Sequence, residues 1–150
     1  MKILVINGPN LNLLGKRDES KYGKLSLTDI EAKLEREFPD AEFTFFQSNH
    51  EGEIIDKIQN TESNFDAIVI NPGGFAHSSV AIRDALAEIK LFKIEVHLSN
   101  LSKRENFRQN LITASACDGY ISGFKEESYS AAVNIIEKYL NVRRKKEIND

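Results

Sequence analysis

Short apolar runs alternate with amphipathic segments along the whole of the 150-residue chain. The runs at residues 3–6, 67–70 and 91–96 are rich in Val and Ile and nearly unalternating, which is typical of strands covered on both faces of a sheet. Residues 119–122 are a weaker candidate strand. Residues 43–46 mix aromatic with polar side chains, which favours a strand nearer the sheet edge. The pattern therefore predicts five strands.

Between the strands, apolar residues recur at spacings of three and four, as they do on one face of an α-helix. Three such sets are Leu27, Ile30, Leu34 and Phe38; Ile54, Ile55 and Ile58; and Ala132, Ile135, Ile136, Tyr139 and Leu140. Capping-box spacing, which marks a helix start, occurs in three pairs: Thr28 with Glu31, Ser48 with Glu51, and Ser102 with Glu105.

Strand and helix alternate five times in this pattern. Five such units, with no linker-like stretch between them, predict a single α/β domain over residues 1–150 that ends in a charged tail at about residues 141–150. The expected architecture is a flavodoxin-like, doubly wound, five-stranded parallel sheet with the strand order 2-1-3-4-5.

Composition narrows the class of protein. The single cysteine excludes an internal disulfide, and no apolar stretch approaches the roughly 20 residues that span a bilayer. The first apolar run is also too short for a signal peptide, so we expect a cytoplasmic protein that does not bind membranes. With 20 basic against 23 acidic side chains, nucleic acid is not an expected partner. The basic run at residues 143–146 is interpreted as a solvated helix end, with a nucleic-acid or membrane contact as the alternative.

Polar residues follow the apolar runs. Residues 7–12 follow the first run, residues 71–77 follow the third, and residues 95–100 close the fourth. Ligands of open parallel sheets bind outside the carboxyl ends of the strands. We therefore expect one crevice to gather Asn10, Asn71, His77, His97 and Ser99.

Several of these residues have a purely structural interpretation. Asn7 and Asn71 precede Gly and Pro, where an Asn side chain often does no more than bond to nearby backbone in a turn. Asn10 and Asn12 lie in a loop too long for a minimal strand-to-helix turn, and both interpretations stay open for them. His77 is equally compatible with a cap on the helix that follows it.

Glu95 and His97 share one face of a predicted strand. The carboxylate can therefore hold one imidazole nitrogen while the other faces the crevice, as an acid–base pair requires. The alternative is a polar pair on an exposed sheet edge.

The glycine-rich segments do not fit phosphate binding. The stretch from Gly8 to Gly15 is followed by Lys-Arg rather than by Lys-Ser or Lys-Thr, and GxGxxG is absent from the sequence. Residues 15–23 instead have the composition of a mobile lid after the first strand, which would deliver Arg17 and Tyr22 to the crevice.

No metal site is predicted, because the three histidines are far apart and lack metal-ligand spacing. His50 is interpreted as a loop or helix-start residue. Cys117 precedes a predicted strand instead of following one, so it is interpreted as a structural thiol and not as a nucleophile.

The motifs occur in a recognisable order: Gly8-Pro-Asn-Leu-Asn-Leu-Leu-Gly15, Arg17, Tyr22-Gly23, Asn71-Pro-Gly, His77, Arg83-Asp84, Glu95-Val-His-Leu-Ser-Asn100, Arg104 and Phe107-Arg108. In order and spacing, from about residue 2 to residue 124, the chain resembles the type II dehydroquinases. The resemblance implies an anti elimination of water from 3-dehydroquinate, through an enolate, to 3-dehydroshikimate in the shikimate or quinate pathway. It implies no cofactor.

The resemblance also implies roles for the catalytic residues. Tyr22 would be the base that removes a proton from the carbon beside the ketone, with Arg17, joined if needed by Arg108, keeping it reactive. A free tyrosine ionises near pH 10, so a base of this kind needs nearby positive charge worth about three pKa units, or about 4 kcal/mol, at neutral pH. Asn10 would hold a water against the enolate oxygen. His97, oriented by Glu95, would protonate the departing hydroxyl.

The remaining matched positions are expected to bind substrate. By the resemblance, Ser99 and the backbone amides of Leu98 and Ser99 receive the carboxylate, while Asn71, His77 and Arg108 hold ring hydroxyls. Asp84 reaches the site of a neighbouring subunit in this family. This implies a homo-oligomer of trimers, usually four of them in a dodecamer.

Three positions depart from the family pattern. Glu19 stands where the lid usually carries a proline, so a looser lid is expected. Gly74 stands where alanine is common, and Lys125 stands where a glycine often follows the phenylalanine. Two rival functions also stay open: a flavodoxin-like module that binds a small anion without chemistry, and a lyase or hydrolase with another substrate.

Overall fold

A parallel sheet of five strands forms the centre of the molecule. The computed structural model describes residues 1–61 and 63–149, the last four of them by backbone alone. The strands are β1 (Lys2–Asn7), β2 (Glu42–Gln47), β3 (Ala67–Asn71), β4 (Phe92–His97) and β5 (Gly119–Ser122). Their order in the sheet is β2-β1-β3-β4-β5. The predicted flavodoxin-like α/β fold and its strand order are confirmed, and β2 lies at an edge as its mixed composition predicts.

The strand register aligns the polar residues at the carboxyl edge of the sheet. Asn7 pairs with Asn71 across β1 and β3. Ile70 pairs with Glu95 across β3 and β4, which leaves His97 beyond the end of β3. Three central strands therefore end in side chains that share one edge, where parallel-sheet ligands bind.

Within the described part of the chain, five α-helices accompany the sheet: α1 (Glu19–Tyr22), α2 (Leu27–Glu37), α3 (Glu51–Gln59), α4 (Val80–Glu88) and α5 (Glu127–Asn149). The sheet is buried on both faces. Ile3 and Val5 of β1 pack into a core with α2 and α5, whereas Leu4 and Ile6 pack into a second core with α3 and α4. All four are at most 1% exposed, which explains why β1 reads as a continuous apolar run.

The helix starts differ from the capping boxes predicted. The box of α2 is formed by Ser26 and Asp29, each accepting the other's backbone N–H, whereas Thr28 lies inside the helix. The prediction of Thr28 with Glu31 is therefore wrong. An N-cap residue needs extended backbone, which Ser26 has at φ −71° and ψ 167°.

The other two predicted boxes are also absent from their helix starts. Ser48 lies two residues before the cap position of α3. The Ser48 hydroxyl accepts the N–H of His50. His50 itself occupies that position, as predicted for a helix-start residue. Ser102 lies within a short 3₁₀ helix and donates its N–H to the side chain of Asn100.

No α-helix connects β4 to β5, so the predicted helix of the fourth strand–helix unit is wrong. Three short 3₁₀ helices replace it: Leu101–Lys103, Asn106–Gln109 and Thr113–Ala116. The Asn100 side chain accepts both the N–H and the hydroxyl of Ser102. Such local bonds to backbone compete with the regular ladder of an α-helix.

The predicted charged tail is part of α5, which extends to Asn149. Residues 143–145 of the basic run are exposed on this helix, in agreement with a solvated helix end. The side chain of Lys146, and residue 150, lie outside what the structure describes. Across the described residues, no helix combines the length and apolar character that crossing a membrane requires.

Candidate active site

A cleft with an empty volume of about 530 Å³ opens at the carboxyl edge of the sheet. The cleft gathers all of the predicted site residues except Glu95 and Asp84, namely Asn10, Arg17, Tyr22, Asn71, His77, His97, Leu98, Ser99 and Arg108. Residues from the lid, from three strand ends and from the β4–β5 connection thus meet in one place.

His97 is held from behind by Glu95. Its Nε2 lies 2.7 Å from Oε1 of Glu95, and both side chains are buried in the interior strand β4. The alternative of a polar pair on an exposed edge is therefore wrong. Because Nε2 is engaged, Nδ1 is the ring nitrogen left to face the cleft.

A third member of this arrangement was not predicted. The hydroxyl of Thr113 donates to Oε2 of Glu95 at 2.6 Å, and Thr113 is fully buried. Both oxygens of the carboxylate are consequently engaged, one by His97 and the other by Thr113. Thr113 lies in a 3₁₀ helix just after the last motif, Phe107-Arg108, and its sequence position carries no signal of this contact.

The lid places Tyr22 under two guanidinium groups. The Cζ atom of Arg17 lies 3.8 Å from the centroid of the Tyr22 ring, and that of Arg104 lies 5.5 Å away. Tyr22 ends the short helix α1, whose cap residue Asp18 accepts the N–H of Ser20. Hydrogen bonds from Ser20 lower the pKa of the Asp18 carboxyl, so this cap stays ionised to a lower pH than an ordinary aspartate.

Glu19 occupies the first position of α1. Proline is well tolerated at this position of a helix, because the first backbone N–H groups have no partner within the helix. Because proline has no backbone N–H, the presence of Glu19 in its place costs α1 no hydrogen bond.

Arg104 belongs to the site although no role was predicted for it. Its guanidinium donates to Oγ of Ser99 at 2.9 Å and pairs with Glu105 at 3.3 Å. Glu105 also accepts from Arg108 at 2.8 Å. Its own backbone N–H and Arg108 lower the pKa of Glu105 to about 2, so one carboxylate orients two cations at the cleft.

The two asparagines at the ends of β1 and β3 are joined by a tyrosine from α5. The Tyr129 hydroxyl donates to Oδ1 of Asn7 at 2.6 Å and accepts from Nδ2 of Asn71 at 3.0 Å. The interpretation of Asn7 as a turn residue is wrong, because its side chain bonds across the molecule. Asn71 does bond locally as well, since its Oδ1 accepts the N–H of Gly73.

His77 faces the cleft instead of capping α4, whose cap is Ser79. The Nδ1 of His77 donates to the carbonyl of Asn110 at 2.9 Å, and its ring centroid lies 6.2 Å from that of His97. Burial lowers the pKa of His77, so the ring is neutral near pH 7. Within the described residues its Nε2 is buried without a partner, and a neutral ring offers an acceptor there.

The loop after β1 approaches the turn after β3 closely. A Cβ atom on Gly8 would lie 2.4 Å from the carbonyl oxygen of Pro72, so only glycine fits there. Asn10 follows with a left-handed backbone, at φ 68°, and its N–H donates to Oδ1 of Asn49 at 3.0 Å. This contact of Asn49 with the loop was not predicted from the sequence.

Asp84 lies outside the cleft of its own chain. It is exposed on α4 and pairs with the neighbouring Arg83 at 2.8 Å. Asp84 therefore does not contribute to the cleft that the other predicted residues line.

The fold and the cleft define an α/β enzyme that acts on a small molecule at the carboxyl edge of its sheet. A family model described as dehydroquinase class II matches residues 1–137. A 3-dehydroquinate dehydratase from Thermotoga petrophila is 51% identical over 142 residues, covering 93% of this chain and 97% of the relative. One from Carboxydothermus hydrogenoformans is 51% identical over 145 residues, covering 95% and 94%.

Solved structures agree with this match. The crystal structure of type II dehydroquinase from Butyrivibrio crossotus aligns with a TM-score of 0.89 at 46% identity, covering 91% of this chain and 97% of that one. That from Propionibacterium acnes aligns with a TM-score of 0.86 at 32% identity, covering 90% and 94%. The chain belongs to the class II dehydroquinase family.

Proposed function

We propose that this protein removes water from 3-dehydroquinate by an anti elimination, giving 3-dehydroshikimate for the shikimate or quinate pathway. The observation that carries the proposal is that one cleft holds both Tyr22, under the guanidinium of Arg17, and His97, backed by Glu95. A base and an acid in one cleft are what an elimination needs, and the relatives named above carry this activity in their names. The proposed reaction uses no cofactor.

Tyr22 is the proposed base. Its phenolate takes the proton from the carbon beside the ketone, and the electron pair of that C–H bond forms an enolate. A base in this role carries a negative charge, which the guanidinium groups of Arg17 and Arg104 stabilise from beside the ring. Asn10 holds a water against the enolate oxygen and stabilises the charge that develops there.

His97 is the proposed acid. As the enolate collapses, the carbon–oxygen bond to the departing hydroxyl breaks, and Nδ1 of His97 supplies the proton that makes this group leave as water. Glu95 holds Nε2 and stabilises the imidazolium before transfer. The acid and the base come from different parts of the chain, which suits an elimination across opposite faces of a ring.

The other cleft residues are proposed to bind the substrate. Ser99 and the backbone amides of Leu98 and Ser99 receive the carboxylate. Asn71, His77 and Arg108 hold ring hydroxyls. The buried acceptor at Nε2 of His77 suits a hydroxyl donor, because it otherwise lies buried without a hydrogen bond to any described residue.

A homo-oligomer is proposed to complete the site. Asp84 is exposed, and Val80 one turn before it on α4 is 58% exposed, so this helix offers an apolar and a charged group to a neighbour. We expect trimers in which Asp84 reaches the adjacent cleft, assembled four at a time into a cytoplasmic dodecamer. Light scattering of the purified protein measures the assembly directly.

A direct test mixes the purified protein with 3-dehydroquinate and follows the ultraviolet absorbance of the conjugated enone. Growth of the band with wild type and none with Tyr22→Phe supports the proposal. Substrate binding without any absorbance change would support the passive binding module instead, and neither binding nor turnover would favour another substrate. Borohydride added with substrate should leave activity intact, because no lysine Schiff base is proposed.

A further inference from the structure

The Glu95 carboxylate is the most enclosed charged group near the cleft. Glu95 is 0% exposed, and its two oxygens have different partners: Oε1 bonds to Nε2 of His97 at 2.7 Å, and Oε2 accepts from Oγ1 of Thr113 at 2.6 Å. The Thr113 side chain is also 0% exposed. Water therefore does not compete for either of these bonds.

We propose that Thr113 is a positioning residue for the elimination, which acts by orienting Glu95 and through it the His97 ring. This inference rests on the proposed role of His97 as the acid. A carboxylate held by one oxygen still rotates about its last side-chain torsion, which is broad in proteins. A second bond at the other oxygen removes that freedom, and Nδ1 of His97 then keeps one direction into the cleft.

The backbone around Thr113 is tied to both neighbouring elements. The N–H of Ile112 donates to the carbonyl of Ala76 at 2.8 Å, within the 3₁₀ helix that contains His77. On the other side, the N–H of Asp118 donates to the carbonyl of Lys93 at 2.8 Å, on the same strand as Glu95. The Thr113 hydroxyl is therefore held at a fixed position relative to β4, which carries Glu95 and His97, and relative to the 3₁₀ helix that contains His77.

The chemistry of the bond also favours positioning. A threonine hydroxyl has one hydrogen, and a carboxylate oxygen can only accept, so the direction of donation is determined. Hydrogen bonds to an ionised acceptor are among the stronger ones in proteins. Loss of the hydroxyl leaves Oε2 of Glu95 buried without its donor, which is energetically unfavourable. Rotation of the carboxylate away from His97 then becomes more favourable.

The experiment compares two replacements of Thr113 with 3-dehydroquinate as substrate. Thr113→Val keeps the shape and removes the donor, whereas Thr113→Ser keeps the donor. We expect Thr113→Val to lower kcat by about 10- to 100-fold, as for other groups that orient a functional side chain, while KM changes less than about twofold. Thr113→Ser should recover most of the lost kcat.

Thr61→Val is a matched control. Thr61 is equally buried, and its hydroxyl donates at 2.7 Å to the carbonyl of Ile58 at the end of α3, away from the cleft. This variant should lose stability without losing kcat. Circular dichroism reports whether each variant folds, and if Thr113→Val does not fold, Thr113→Ala replaces it in the comparison with Thr113→Ser.

The outcomes separate this inference from the proposed function. Unchanged kcat in folded Thr113→Val, or equal damage in Thr113→Ser, overturns the positioning role. If this happens while wild type turns over and His97→Ala does not, the proposed function still stands. Absence of turnover in wild type overturns both.

Discussion

The hydroxyl of Tyr129 lies 3.0 Å from Nδ2 of Asn71, so a buried residue of the last helix holds a side chain of the cleft. The same hydroxyl donates to Asn7, which gives the ends of β1 and β3 one common partner. With Oδ1 of Asn71 bonded to Gly73, the orientation of this amide is determined on both sides. The family match over residues 1–137 includes Tyr129 and the first part of this helix, beyond the motifs on which the sequence resemblance rests.

Removing the Tyr129 hydroxyl should destabilise the protein. In Tyr129→Phe, Oδ1 of Asn7 and Nδ2 of Asn71 lose a buried partner, which costs about 1–3 kcal/mol of unfolding free energy. Urea unfolding at pH 7.5 measures the loss. Tyr120→Phe is the control, because Tyr120 is 57% exposed and should show almost no change. Equal stability of wild type and Tyr129→Phe would contradict the network.

The same residue predicts a dependence on alkaline pH. Burial raises the pKa of Tyr129 above its ordinary value near 10. A raised pKa in the folded state means that the contribution is complete below pH 10 and is lost as pH rises further, since only the unfolded chain then ionises freely. The stability gap between wild type and Tyr129→Phe should therefore narrow above pH 10. A gap that widens there would refute the assignment.

Arg104 and Arg17 should contribute differently to turnover. Both guanidinium groups lie beside the Tyr22 ring, but Arg104 also donates to Ser99, the proposed carboxylate receiver. Arg17→Lys is expected to lower mainly kcat, whereas Arg104→Lys should lower kcat and raise KM, because lysine lacks the planar fork that serves two partners. Steady-state kinetics separate the two effects. Arg36→Lys on the exposed face of α2 is the control, and identical profiles for Arg17→Lys and Arg104→Lys would count against this division.

Cys117 should be inert in the native protein. Burial raises the pKa of the Cys117 thiol far above its ordinary value, so the reactive thiolate is scarce at neutral pH. We expect no labelling by iodoacetamide at pH 7.5 in the folded state and complete labelling in urea, as measured by mass spectrometry. Rapid labelling of Cys117 in the folded protein would instead support its interpretation as a nucleophile.

Lys125 is a site where glycine should stabilise the fold. Its backbone has φ 51°, in the left-handed region that costs a side-chain-bearing residue about 1–2 kcal/mol. Lys125→Gly relieves this cost but adds freedom to the unfolded chain, so a net gain of about 1 kcal/mol is expected from thermal or urea unfolding. Lys24→Gly is the control, because Lys24 is exposed and has no positive φ, and should lose stability. A loss in both variants would exclude strain at residue 125.

The strands and most of the site could be predicted from the sequence because the signals are local. Continuous Val and Ile runs mark buried strands, and polar residues at their ends mark the cleft. The helix caps were not predictable, because Ser26 and Thr28 offer the same hydroxyl and only the backbone distinguishes them. Thr113 and Tyr129 were missed for another reason: their partners lie 18 and up to 122 residues away, and no local pattern encodes such pairs.

The lid begins and ends at glycines with positive φ, 88° at Gly15 and 82° at Gly23. We expect residues 16–22 to move as one unit about these two glycines, because left-handed backbone is readily adopted by glycine and by few other residues. Tyr22 and Arg17, which are in contact, would then enter and leave the cleft together, while His97 stays on β4. The base would reach a bound molecule only after the segment has closed, so binding and proton removal would be successive steps.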